Sequence, residues 1–201
     1  MVAGDGPTGD GPAAGRVRLL LRGPGGVVRL LGLASVVVAL VRGPVDAALL
    51  ALVLAGLVAP VVGRAGRWLD AAYGVGLLAA AWSGVLGLYE RVSWLDLVMH
   101  LVVTGLIAAV AHLVVARTTG AVVDPADARD GRTRVGSVGV TVALGLALSV
   151  LWEVGEYLGV TYVDATIHVA YRDTVGDLVL GGTGSLVAGV GLVLAGRRRA
   201  A

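Results

Sequence analysis

Leu148 to Gly159 reads LSVLWEVGEYLG, an apolar run that carries two carboxylates, Glu153 and Glu156, three residues apart. A helix in water would hold both on its wet face. In hydrocarbon each ionised group costs about 3 kcal/mol or more unless it faces a protein interior or a wet cavity. The solvent around this segment therefore decides the fold, and the rest of the chain identifies that solvent. Of 201 residues 57% are hydrophobic and only 15% charged, with a mean hydropathy of +0.87. Such a chain has too little polar surface for a water-soluble domain of its size. The composition predicts an all-α, polytopic transmembrane helical bundle, because helices satisfy their own backbone groups in lipid. With no cysteine, disulfides and thiolate metal sites are excluded, and any metal must be held by His and carboxylates. All 16 basic residues are arginine in a chain dominated by Ala, Val, Leu and Gly, a compositional bias that makes a pI near 9.4 weak evidence for nucleic acid.

Working outward, apolar runs separated by charged or Gly/Pro breaks predict six spans near the length a bilayer demands, at 27–41, 45–62, 68–89, 94–116, 135–158 and 174–195. They fill a membrane domain over 27–196. Residues 1–26, rich in Gly and Pro, are expected to form a disordered tail, and 197–201 a short basic one. The first span is short and contains Arg29, which is expected to snorkel to the interface. Trp68, Tyr89 and Trp94 fall at span ends, where amphipathic rings favour the headgroups. Six spans would put thirteen arginines on the side of both termini and leave only Arg42, Arg91 and Arg172 on the other. Positive charge is retained in the cytoplasm, so both termini are expected there.

That orientation gathers the acids. Asp96 and His100 fall in the outer third of the fourth span, Glu153 and Glu156 at a similar depth in the fifth, and Asp173 and Asp177 at the entry of the sixth. Residues four apart share a helix face. Asp96, His100, Thr104, Ala108 and His112 make one stripe; Thr141, Gly145, Ser149 and Glu153 a second; Asp173, Asp177, Gly181, Ser185 and Gly189 a third. Mixed polar and small residues are what closely packed helices use in lipid, so the stripes are expected to face one another. Five carboxylates and one imidazole cannot all remain charged together without compensation. A divalent cation, shared protons, or Arg91 and Arg172 folding in would each supply it. Asp96, His100, Glu153, Glu156, Asp173 and Asp177 are the candidate metal ligands, suiting Zn, Mn or Fe if His100 coordinates and Mg or Ca if only oxygens do.

Three blocks, WLDLVMH, LSVLWEVGEY and RDTVGDLVLGGTGS, carry a resemblance to the YjdF-like bacterial inner-membrane family, in the same order. The matching positions are Asp96, His100, Glu153, Glu156, Asp173, Thr174 and Asp177, over roughly 94–194. A looser likeness to VanZ-like proteins lies in the same Asp/His, Glu and Asp order. Leu97 stands where the family often has a basic residue, Tyr157 where it has Trp, and Arg172 where it has an aromatic. The resemblance implies a multi-pass protein of the bacterial plasma membrane and adds weight to the site; it implies no reaction, because the family's biochemical role is itself unknown.

Plainer readings compete. Glu156 and Asp173 lie near span ends, where water suffices, and Asp96 and Asp173 can serve as helix N-terminal charges. Glu153, Asp177 and His100 can form a network that only fixes packing, and His112 can be a packing histidine. His168 sits in an outer loop with no role assigned. Three function classes follow: a metal-dependent membrane enzyme acting on a lipid-linked or envelope substrate, with Glu153, Glu156 and Asp177 as candidate catalytic groups; a proton or cation transporter; and a structural or accessory membrane protein. A bound divalent cation of undetermined purpose ranks first.

Overall fold

The computed structural model describes residues 12–163 and 171–200, with side chains throughout these except at 12–14, 16, 171–173, 199 and 200. The described residues are helical, with no strand among them. The order is α1 Pro12–Leu20, α2 Gly23–Ala39, α3 Pro44–Gly56, α4 Ala59–Val62, α5 Arg67–Val85, α6 Leu88–Arg91, α7 Leu95–Thr119, a 3-10 turn Pro125–Asp127, α8 Gly131–Tyr162 and α9 Tyr171–Ala200. Pro12–Leu20, expected in the irregular tail, forms a helix instead.

Four stretches are long and apolar enough to cross a membrane: Pro44–Val62, Leu95–Thr119, Gly131–Tyr162 and Thr174–Arg198. The other two expected spans correspond to α2, which has 17 residues, and to α5, whose first turn carries Arg67 and Asp70. Two packing groups result. Helices α2, α3 and α5 pack together on one side, α7, α8 and α9 on the other, and α7 joins them through α4 and α5.

Proline explains the break between α3 and α4. Pro60 has no N–H and its ring crowds the carbonyl four residues back, which is Gly56, the last residue of α3. In a dry environment the freed carbonyls need other donors. The Tyr73 hydroxyl donates to the Gly56 carbonyl at 3.2 Å, and Arg29 Nε donates to the Leu57 carbonyl at 2.9 Å. Tyr73→Phe is accordingly expected to lower stability by about 1 kcal/mol, read from the melting temperature in detergent at unchanged helix content.

Arg29 departs from the sequence reading. It does not snorkel: it is 7% exposed inside the α2, α3 and α5 group. Its Nη2 is paired with Asp70 of α5 and its Nη1 donates to the Leu20 carbonyl. Burying a guanidinium is tolerable only with such compensation, and here one carboxylate and two carbonyls supply it. Gly25 makes room for the pair, since a Cβ there would lie 2.0 Å from Asp70 Oδ2.

The α7, α8 and α9 group is layered. Helices α7 and α9 run parallel, with α8 antiparallel between them in sequence, as three successive contact levels demonstrate. A Cβ on Gly181 would meet Ser149 Oγ and Thr104 Cγ2 at 3.1 Å; one on Gly145 would meet Ser185 Oγ at 1.9 Å and Ala108 Cβ at 2.9 Å; one on Gly189 would meet Thr141 Cβ at 3.1 Å. The buried residues of α8 are Ser137, Thr141, Gly145, Ser149 and Glu153, every fourth position, which is the expected stripe extended by one turn. Helix α7 approaches α9 backbone to backbone at Gly105 and Gly184.

The connector after α7 is pinned. Asp124 caps the 3-10 turn through the Ala126 N–H and pairs with Arg117 Nε at 2.6 Å, while Arg117 Nη1 donates to the carbonyls of Gly63 and Arg64. Burial pushes the Asp124 carboxyl up, but the Arg117 pair and the Ala126 N–H outweigh it and hold it below its usual range. Asp130 caps α8 through the N–H groups of Arg132 and Thr133.

Candidate functional site

Asp96 lies in the first turn of α7, where its charge complements the helix dipole, and His100 lies one turn further on the same face. Asp177 comes from α9, one turn before the Gly181 contact with Thr104 and Ser149. The parallel arrangement of α7 and α9 thus carries Asp177 to His100. His100 Nε2 is 3.7 Å from Asp96 Oδ1 and 3.9 Å from Asp177 Oδ1. One ligand atom from each of the three residues lies within 4.8 Å of the others. The exposure falls inward, with side chains at 27% for Asp96, 10% for His100 and 4% for Asp177.

These separations are informative. Both exceed hydrogen-bond length. Two donors each about 2.0–2.2 Å from a common ion can be at most about 4.4 Å apart, so the gaps fit a cation between the imidazole and either carboxylate. One imidazole with two carboxylates is a borderline-to-hard donor set that suits Zn, Mn or Fe and leaves coordination positions open.

Of the six expected ligands, the structure brings together Asp96, His100 and Asp177. Glu153 is buried on α8, and the antiparallel register that sets Ser149 beside Gly181 carries it one turn further to the level of Asp177. It is not among the three residues whose donor atoms converge. Glu156 is half-buried one turn on, and its charge and that of Asp96 both act on the Tyr89 hydroxyl. Tyr89 is a neighbour of the site that the sequence reading missed. It donates to the Ala80 carbonyl at 2.8 Å, which fixes its ring against α5. The side chains of Arg172 and Asp173, and residues 164–170 with His168, lie outside the described residues.

His112 is fully buried at the other end of the same stripe. Its Nδ1 is 2.8 Å from Thr141 Oγ1 and its Nε2 is 3.0 Å from the Val123 carbonyl. A carbonyl only accepts, so Nε2 carries a proton. This histidine ties α7 to α8 and to the connector.

Residues 27–198 match the family described as predicted membrane protein DUF2238. This chain belongs to that family. The match is in keeping with the YjdF-like resemblance and extends it over the first three expected spans; the VanZ-like likeness finds no support. No curated protein and no solved structure matches the chain. As a DUF2238 member it is a membrane protein of an uncharacterised family, and its candidate chemistry rests on the Asp96, His100 and Asp177 geometry alone.

Proposed function

We propose that this DUF2238 member is a six-span protein of the bacterial inner membrane, with both termini cytoplasmic, that binds a divalent cation at the outer ends of α7, α8 and α9. The observation that carries the cation is the convergence of His100 Nε2 with oxygens of Asp96 and Asp177 at distances too long for direct hydrogen bonds and short enough to share an ion. Glu153 at the same level, and Glu156 and Asp173 further out, complete the proposed ligand set. The orientation is supported by polarity along the three helices: the acids lie at one end, and Arg117, Arg132, Arg134, Arg197 and Arg198 at the other. The first and third spans of the count are supported by the neutralised Arg29–Asp70 pair, which removes the main objection to placing α2 and α5 in lipid. At about 26 Å for 17 residues, α2 nearly matches the hydrocarbon thickness.

Cation binding is preferred to conduction for a packing reason. Below the cluster, Ala108, Gly145 and Ser185 form a layer with no room for an added methyl group at Gly145. A held cation with open coordination positions can activate water or polarise a phosphoryl or acyl group, which on the outer side of the membrane suits a lipid-linked or envelope substrate. Glu153, Glu156 and Asp177 are then the groups placed to move protons.

The test is the metal content of detergent-purified protein, measured by elemental mass spectrometry. About one metal per chain is expected, lost on chelation and in Asp177→Asn and His100→Gln. Absence of metal in every sample, with no change in melting temperature on adding Zn or Mn salts, would sink the cation and leave a proton-sharing or packing cluster.

A further inference from the structure

At the arginine-rich end, opposite the acid cluster, an open groove of about 570 Å³ lies between the first turn of α5 and α9, with α7 as its floor. Leu106, Ala109 and Leu113 line it along α7, and Ala188, Gly191 and Leu192 along α9. From Leu106 to Arg117 the floor is about 17 Å long, so the groove runs from mid-helix to the rim as an acyl chain does from mid-bilayer to the headgroup. Its charged residues, Arg67, Arg117 and Asp124, are confined to the rim.

The rim is cationic in balance. Arg117 and Asp124 neutralise one another, and the remaining Arg117 donors go to the Gly63 and Arg64 carbonyls. That leaves Arg67, which is exposed, with no carboxylate partner among the described residues; exposed Arg64 precedes it by three positions, and Arg197 and Arg198 follow the groove residue Gly196. The Arg67 guanidinium lies 5.2 Å over the ring of Trp68, which is 70% exposed, an anchoring pair suited to headgroup depth.

We infer that this groove is a seat for one anionic phospholipid, its acyl chain on the α7 and α9 floor and its phosphate against Arg67. An apolar channel that ends in uncompensated positive charge matches a ligand with an apolar tail and a negative head. Gly191 creates part of the channel: a Cβ there meets nothing within 4 Å, so the space beside it is open rather than packed.

Gly191→Leu therefore adds bulk to the groove from a position whose Cβ meets no neighbour, and Arg67→Gln removes the charge without filling it. Full-length protein in detergent is titrated with phosphatidylglycerol and, separately, phosphatidylcholine, following melting temperature and lipid retained in native mass spectrometry. Wild type is expected to bind phosphatidylglycerol about tenfold more tightly than phosphatidylcholine. Arg67→Gln should bind it roughly fivefold more weakly, the effect of one arginine near the surface. Gly191→Leu should retain none, while Arg91→Gln, at the acid end, should match wild type. Equal response to both lipids, or phosphatidylglycerol retained by Gly191→Leu, overturns the inference. So does a dimer that Gly191→Leu dissociates with no lipid effect, which would give the groove to a second copy.

Discussion

Asp70→Ala is expected to cost about 3 to 5 kcal/mol of stability, among the largest effects of any single substitution here. The reason lies in what remains. Arg29 is 7% exposed and anchored through Nε and Nη1 to the Leu57 and Leu20 carbonyls, so it cannot follow water when its carboxylate is removed. The variant keeps a buried guanidinium with two neutral acceptors and no counter-charge. Arg29→Met alone should be milder, because it removes the charge whose burial is costly and leaves Asp70, at 16% side-chain exposure, nearer to solvent. The double variant Arg29→Met with Asp70→Leu should recover more than half of the loss, the residue of the deficit being the Leu57 carbonyl that Arg29 capped. Thermal melts of the three proteins in one detergent form a double-mutant cycle. Additive losses would mean that the ion pair does not hold α2 to α5.

That pair also marks where sequence reasoning stops. Arg29 was legible as a charge in an apolar run, and its expected exit was the nearest interface. Its partner lies 41 residues away on α5, and no local periodicity reports a pairing between two helices that only the fold makes neighbours. The α3–α4 break was equally hidden in an apolar run from 45 to 62, although Pro60 supplies its cause. The stripes behaved differently. Thr104, Ala108, Thr141, Gly145, Ser149, Gly181, Ser185 and Gly189 meet across α7, α8 and α9, because four-residue spacing fixes a face and small or polar residues mark the face that packs. Spacing gives depth and direction but not lateral distance. Hence the sequence placed six candidate donors in one layer without separating Asp96, His100 and Asp177, whose atoms converge, from Glu153 and Glu156. Tyr89 was read from its position at a span end, and its link to Asp96 and Glu156 depends on the turn at Gly87, which adopts φ +62.

Gly184→Ala is expected to remove both stability and the cation, and the two losses together test whether helix packing sets the site. A Cβ on Gly184 would lie 1.8 Å from the Leu101 carbonyl oxygen, a backbone atom that cannot rotate away. Helices α7 and α9 must then separate, at a cost at or above the upper end of about 1 to 3 kcal/mol for overpacking. The contact is one residue beyond His100 on α7 and two turns beyond Asp177 on α9, so separation acts directly on the 3.9 Å gap between His100 Nε2 and Asp177 Oδ1. An ion bound at about 2 Å by both groups tolerates little widening. Metal content should therefore fall together with melting temperature, although neither residue of the gap has been altered. Gly139→Ala is the control: a Cβ there meets nothing within 4 Å, and alanine is the better helix former, so stability should hold or rise and metal should stay. Metal retained at the wild-type level in a destabilised Gly184→Ala would separate packing from binding and move the cation away from the α7–α9 seam.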